Sequence, residues 1–289
     1  MEHGASPTLR QWQLAESLRD YRERAGLTLE EAGSQLKPYG QRWSRSKLQR
    51  IETRLYAPKP AEVEHLADTY GIPASEAGAL VEMAAEARQK GWWLSSALPK
   101  HFHTFAGLEQ AATALRVFEL ALVPGLLQTY DYARALVAAI EPGTPPEVLE
   151  HVVAARMTRQ QVLTRPTPLN LQVILSEAVL RCPVGGKRVM RGQLERLVEA
   201  TSELDVSLQV VPLAAGPHPG MEGAFTILTL PELDSDVGFV EGIVGSLYLE
   251  SQDDVRRCTM RFAALSSQAL SPSDSVDLVS SILTEYQKP

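Results

Sequence analysis

The sequence predicts a mainly α N-terminal domain of five helices built around a helix-turn-helix (residues 1–90), followed by an α/β (α+β) C-terminal domain with a small mixed sheet (residues 91–289). Three observations carry this. Residues 27–60, LTLEEAGSQLKPYGQRWSRSKLQRIETRLYAPKP, hold two short amphipathic segments separated by a turn-forming break. Charge is unevenly divided: the first ninety residues balance thirteen Lys and Arg against thirteen Asp and Glu, so the formal net charge of −7 belongs entirely to the rest. Beyond residue 169, β-branched runs bounded by Pro, Gly and Asp interrupt a helical pattern, as strands do.

Taken in order, Met1 to Pro7 has no periodicity and reads as unstructured. Leu9, Trp12, Leu14, Leu18 and Tyr21 recur at helical spacing, which predicts a helix from Leu9 to Ala25 with Gly26 as its stop. Thr28 then caps a short helix, and Glu31 three positions on completes a capping box; Leu29, Ala32, Gly33 and Leu36 make its inner face. After the break at Lys37-Pro38-Tyr39-Gly40, Ser44 caps a second short helix over 44–53. Leu48 and Ile51 point inward there, leaving Arg45, Ser46, Lys47, Gln49 and Arg50 outside. Pro60 opens a helix that runs to Tyr70 and stops at Gly71, and Pro73 precedes a fifth, Ala74 to Lys90. The boundary falls near Gly91. Trp92 and Trp93 follow it, and either close a domain joint or offer a stacking surface to a base, ligand or partner.

The C-terminal part begins helically. Leu108 to Glu119, Tyr130 to Ala139 and Pro146 to Leu163 each show helical spacing of Leu, Val and Ala, and Leu122 to Gln128 connects the first two. Leu169 to Leu175 alternates like a strand, and Val189 to Ser202 is a helix after the Gly185-Gly186 turn. Val206 to Val211, Ala224 to Leu230 and Val237 to Glu241 are strands, with a short addition at Tyr248 and Leu249. Helices from Asp253 to Ala269 and from Ser273 to Tyr286 complete the chain.

Charge locates the working surface. Between Lys37 and Lys59 stand seven basic residues against the single acid Glu52, a local +6 inside an acidic protein. A basic island on the second helix of a helix-turn-helix is the footprint of a phosphate-binding face, with a solvated basic helix as the plainer reading. The expected partner is double-stranded DNA. Arg45, Ser46 and Arg50 are the expected base readers with Gln49 beside them, since arginine bonds guanine O6 and N7 as a fork. Lys37, Arg42, Lys47 and Arg54 are expected on phosphates, aided by the helix N-termini at Thr28 and Ser44. One such domain buries little surface, so a homodimer on two half-sites about one helical turn apart, roughly 34 Å, is expected.

Composition limits the rest. No run of eighteen apolar residues occurs and the first residues lack an apolar signal core, so a cytoplasmic protein without a membrane partner is expected. Cys182 and Cys258 lie far apart and read as core thiols, with no disulfide framework and no zinc site. His101 and His103, two apart, are too few for a metal, and Gly185-Gly186-Lys187 lacks the remainder of a phosphate loop. Arg156, Arg159 and Arg165 form either an anion pocket or favourable charges at a helix C-terminus. The loop Pro212 to Gly223 carries His218 and Glu222, and His218 with Glu177 or Glu241 has the groups for acid–base work. No nucleophile motif accompanies them, so no catalytic residue and no cofactor are expected. His218 and Glu222 are retained as a ligand or partner site. A small-molecule sensor or enzyme, with the helix-turn-helix as a docking surface, is the alternative reading.

At the runs Ala25-Gly26-Leu27-Thr28-Leu29-Glu30-Glu31, Ser44-Arg45-Ser46-Lys47-Leu48-Gln49-Arg50-Ile51-Glu52 and Ala57-Pro58, the chain resembles the XRE-type (lambda-repressor-like) regulators of actinobacteria. Gly91-Trp92-Trp93, the run from Leu122 to Arg134 and Ala155-Arg156-Met157-Thr158-Arg159-Gln160 resemble the C-terminal domain of unknown function that WhiJ-like members carry. The likeness spans roughly Leu14 to Leu283. It implies a transcriptional regulator, control of sporulation or secondary metabolism, and a small acidic partner protein encoded nearby that acts on the C-terminal domain. Two departures stand out. Seven residues, Lys37 to Trp43, fill a turn that usually takes about two, and Arg54-Leu55-Tyr56 follows the second helix where glycine and arginines are usual.

Overall fold

The computed structural model describes residues 6–40, 42–233, 236–243 and 245–287. It contains two compact units, residues 1–94 and 95–289. Of the segment expected to lack structure, residues 1–5 lie outside the described residues, and Pro7 already opens the first helix.

The first unit is helical: α1 (Pro7–Arg24), α2 (Leu29–Gln35), α3 (Arg45–Glu52), α4 (Pro60–Tyr70) and α5 (Ala74–Ala87). The caps follow the sequence signals. Thr28 Oγ1 accepts from Glu31 N at 3.2 Å while Thr28 N donates to Glu31 Oε2 at 2.8 Å, a complete capping box. Ser44 Oγ accepts from Lys47 N at 3.3 Å. Gly71, at φ 67°, ends α4 in the left-handed conformation that glycine tolerates best. Leu14, Leu18, Leu36, Leu48, Ile51, Val63 and Leu66 form the core with Trp43 from the turn. Burying each large aliphatic side chain contributes about 1.5–3 kcal/mol.

The second unit is α+β. Its helices are α6 (His103–Ala111), α7 (Tyr130–Ile140), α8 (Pro146–Arg159), α9 (Glu177–Arg181), α10 (Lys187–Glu203), α11 (Gln252–Gln268) and α12 (Pro272–Gln287). Its strands are β1 (Ala114–Glu119), β2 (Asn170–Ser176), β3 (Val206–Val211), β4 (Phe225–Thr229), β5 (Val237–Gly242) and β6 (Gly245–Leu249). They form one mixed sheet in the order β3-β2-β1-β4-β5-β6. β1, β2 and β3 run parallel, in register Val117↔Val173↔Leu208, and β4 to β6 are antiparallel. The β3 edge is closed by the link between α11 and α12 and by the first turn of α12: Leu270 N donates to Val210 O, and Val210 N to Ser275 Oγ, each at 2.9 Å.

One expected helix divides. Leu108 to Glu119 is the end of α6 and then β1, the strand between β2 and β4. Leu108, Leu115 and Phe118 fit a helical stripe, but Leu115 and Val117 also alternate with the less buried Ala114 and Arg116. Two flanking strands supply β1 with a backbone ladder on each side, which outweighs local helical preference. Two smaller differences follow. The fifth helix ends at Ala87, short of Lys90, and Pro146 to Leu163 changes at Gln160 from α to 3-10 geometry.

Candidate nucleic-acid interface

Gly33 lets α2 and α3 approach closely: a Cβ at this position would lie 3.2 Å from both Arg45 N and Ser44 C. The enlarged turn does not wedge the two helices apart. Its Lys37–Tyr39 stretch is a 3-10 turn, and the Tyr39 ring stacks on His65 of α4 at 4.4 Å. Trp43 meets the same His65 edge-on at 6.4 Å. Gln41, within the turn, lies outside the described residues.

At about 100° per residue, Arg45, Ser46, Gln49 and Arg50 share one arc of α3, and all four are exposed. The opposite arc holds Lys47, Leu48, Ile51 and Glu52. Lys47 was expected outside on a phosphate, and its position corrects that. Its Nζ pairs with Glu62 Oε1 of α4 at 2.5 Å and lies 3.9 Å from the centre of the Trp43 ring, with 19% of the side chain exposed. Burial pushes the Glu62 carboxyl up, but bonds from Lys47, Lys59 N and Tyr56 Oη outweigh this and hold it below its ordinary value. Glu52, the one acid in the basic island, is bound within the unit as well. Arg22 Nε and Nη2 grip Glu52 Oε1 and Oε2 at 2.6 and 2.8 Å, while Arg22 Nη1 donates to Leu27 O. This ties α1 to α3 and removes the island's opposing charge from its outer face. Glu62 and the Arg22–Glu52 pair escaped the sequence reading, although a helical wheel places both Lys47 and Glu52 on the inner arc.

The other basic residues divide. Lys37, Arg42 and Lys59 are exposed. Arg45 is exposed but pairs with Glu30 of α2 at 2.8 Å, a surface pair that DNA can displace at little cost. Arg54 is turned back: its guanidinium lies 4.0 Å from the centre of the Trp12 ring, and its carbonyl accepts from Gln11 Nε2 at 2.8 Å. Its φ of 64° is the left-handed conformation that glycine adopts most readily, so an arginine here costs about 1 kcal/mol, offset by these contacts. Thr28 is a weaker anion end than expected, because Glu30 and Glu31 occupy the first turn of α2. The first turn of α3 carries no acid, so Ser44 stands at the more favourable terminus.

The other sites named from sequence separate. Trp93 is buried and Trp92 is partly exposed, their rings meeting edge-on at 6.1 Å. His218 Nδ1 accepts from Gly220 N at 3.2 Å and its ring meets Phe118 edge-on, while Glu222 pairs with Arg261. The acids paired with His218 in the sequence reading are engaged elsewhere: Glu177 with Arg181 and Leu213 N, and Glu241 with His101. His103 bonds to Leu98 O, so His101 and His103 diverge. Cys258 is buried as expected, but Cys182 is exposed, because it caps the short α9 rather than facing the core.

The two related runs in the second unit are one network. Gln160 Nε2 donates to Gly125 O and Gln128 O, and Arg159 passes close to Gly125 to form a buried fork with Glu109, at 2.9 and 2.8 Å. Arg165 donates to the carbonyls of Gln110, Ala112 and Thr167. The arginine cluster is therefore largely structural, with Arg156 the exception.

No helix among the described residues is long and apolar enough to cross a membrane. Residues 13–80 match the family described as a helix-turn-helix domain, which points to DNA binding. No curated protein and no solved structure matches the chain. Residues 102–281, more than half of the chain, match the domain of unknown function DUF5753. The chain thus belongs to the DUF5753 family and carries a helix-turn-helix domain N-terminal to that domain.

Proposed function

We propose that the chain is a sequence-specific transcriptional regulator of the XRE type, of the kind found in actinobacteria, acting in the cytoplasm and without catalysis of its own. One observation carries the reading: Arg45, Ser46, Gln49 and Arg50 stand exposed on one arc of a capped, rigidly anchored helix. In the major groove, Arg45 and Arg50 read guanine, Gln49 reads adenine, and Ser46 adds a less selective bond. Lys37, Arg42 and the N-terminus of α3 at Ser44 hold phosphates. The protein acts as a homodimer on an inverted repeat, and residues 95–289 receive the signal, from a ligand or from a small acidic protein. The enlarged turn packs on α4 and leaves α2 against α3. That supports the DNA reading over the sensor-enzyme alternative.

The test is selection of genomic fragments by purified wild type and by an Arg45→Ala/Arg50→Ala variant. An inverted repeat enriched by wild type alone is the expected result, with affinity that falls steeply as salt rises. Equal enrichment by both proteins refutes the assignment of α3. A monomeric mass on the enriched DNA refutes the dimer.

A further inference from the structure

The three arginines of residues 156–165 part company once their partners are set out. Arg159 is neutralised by Glu109, and Arg165 is held by backbone carbonyls. Arg156, in the last turn of α8, is partly buried, and among the described residues its one hydrogen bond runs from Nη1 to Gln128 Oε1 at 3.3 Å. That acceptor is neutral and the bond is long. Gln128 is itself fixed: it is buried, its Nε2 donates to Val123 O at 2.8 Å, and its backbone carbonyl accepts from Gln160 Nε2 at 2.7 Å. A guanidinium has five N–H donors, so most of those on Arg156 meet no acceptor among the described residues. Burial, followed by the charge of Arg159, holds its pKa below the ordinary arginine value, against the pull of Glu241 and Glu141. Glu241 is in turn bonded to His101 at 3.3 Å. None of the Arg156 nitrogens is among the buried unpartnered polar atoms of the described residues, so the remaining donors open to solvent, where a solute can reach them.

We propose that Arg156 anchors a small-molecule site in residues 95–289 that takes an oxyanion, either a carboxylate or a phosphate. Gln128 takes only Nη1, which leaves the Nε–Nη2 edge for two ligand oxygens, the geometry in which arginine binds such groups most strongly. Partial burial favours a small solute over the acidic surface of a protein. The proposal rests on the signal-receiving role of residues 95–289 for its regulatory meaning; the binding itself does not.

The test melts the full-length protein with inorganic phosphate or with succinate, each against sodium chloride at matched ionic strength. Wild type is expected to show a saturable rise in the transition of residues 95–289, roughly 5–10 °C at a hundredfold excess over Kd, and the responding arm tells phosphate from carboxylate. Arg156→Met removes the response and, without ligand, melts close to wild type, because the one hydrogen bond it loses is long and goes to a neutral acceptor. Arg156→Lys keeps the charge without the fork and loses most of the response. The site is overturned if neither anion shifts wild type. It is overturned equally if Arg156→Met melts well below wild type and Arg156→Lys restores stability, since the residue is then structural. No DNA enters the measurement, so an anion response in a protein that fails to select DNA overturns the regulator assignment and leaves this site standing.

Discussion

At the scale of single residues, charge in the basic island does two kinds of work that composition cannot separate. Lys47 lies between Glu62 and the Trp43 ring, whereas Arg42 is exposed on the turn. Lys47→Ala is therefore expected to destabilise the first unit by about 1–2 kcal/mol, less than the loss of a fully buried ion pair, because Glu62 keeps its bonds from Tyr56 and Lys59. Arg42→Ala is expected to leave stability within about 0.5 kcal/mol and to reduce the slope of log K against log salt by about 1. Denaturant unfolding beside salt-dependent DNA binding checks both; a lower salt slope with unchanged stability for Lys47→Ala would return Lys47 to the phosphate contacts. Much of this surface was legible in advance. The arc of Arg45, Ser46, Gln49 and Arg50 follows from helical periodicity alone. The inward turn of Lys47 follows from the same periodicity, but only when the arc is weighed above the attraction of a lysine to phosphate. Arg22 gave no signal, since pairing across thirty residues of sequence leaves none.

At the scale of elements, caps and small residues were readable and strand partnership was not. Thr28 with Glu31, Ser44, Pro60 and Gly71 each mark a helix end through a local bond or backbone preference, and each stands where the sequence places it. β1 was misread because its ladder partners lie elsewhere in the chain, at Asn170–Ser176 and Phe225–Thr229. Gly33 gives the element scale its own experiment. A methyl group there meets the Ser44–Arg45 backbone at 3.2 Å, which must yield by a few tenths of an ångström. Gly33→Ala gains helix propensity of about 1 kcal/mol and sets it against overpacking of about 1–3 kcal/mol. The expected result is a small net loss of stability with a larger loss of DNA affinity, because the side chains displaced are the base readers at the start of α3. Tm and Kd measured on the same preparation decide it, and an unchanged Kd refutes the claim that the α2–α3 contact sets the reading geometry.

At the scale of the whole molecule, the two units differ in how they meet pH. The first is balanced in charge, while the second carries the formal −7 and, among its described residues, an acid whose ionisation the fold shifts to higher pH. Glu119, at the C-terminal end of β1, has its carboxyl pushed up to about 8 by burial, with the charge of Glu241 adding to the effect; the Tyr132 hydroxyl, raised first by its own burial, lies within the field of Glu119. An acid whose folded pKa is raised stabilises the fold below its unfolded value of about 4.3, where both states hold the proton. As pH rises from there to about 8, the unfolded chain releases the proton and the folded chain does not, so stability falls by up to about 1.4 kcal/mol per pH unit. Above about 8 both states have released it and the loss levels off. The transition of residues 95–289 is thus expected to drop between pH 5 and pH 8 while that of residues 1–94 moves little. Glu119→Gln keeps the shape of the side chain without its proton, and should flatten the drop and raise the transition at pH 8 above wild type. General repulsion in an acidic unit also grows with pH, but it acts on wild type and variant alike. A variant whose pH profile runs parallel to wild type therefore assigns the effect to net charge and removes Glu119 from it. The outcome bears on function, since a strand end that changes charge near neutral pH lies in the same unit, and within the same Glu241 field, as the unmatched Arg156.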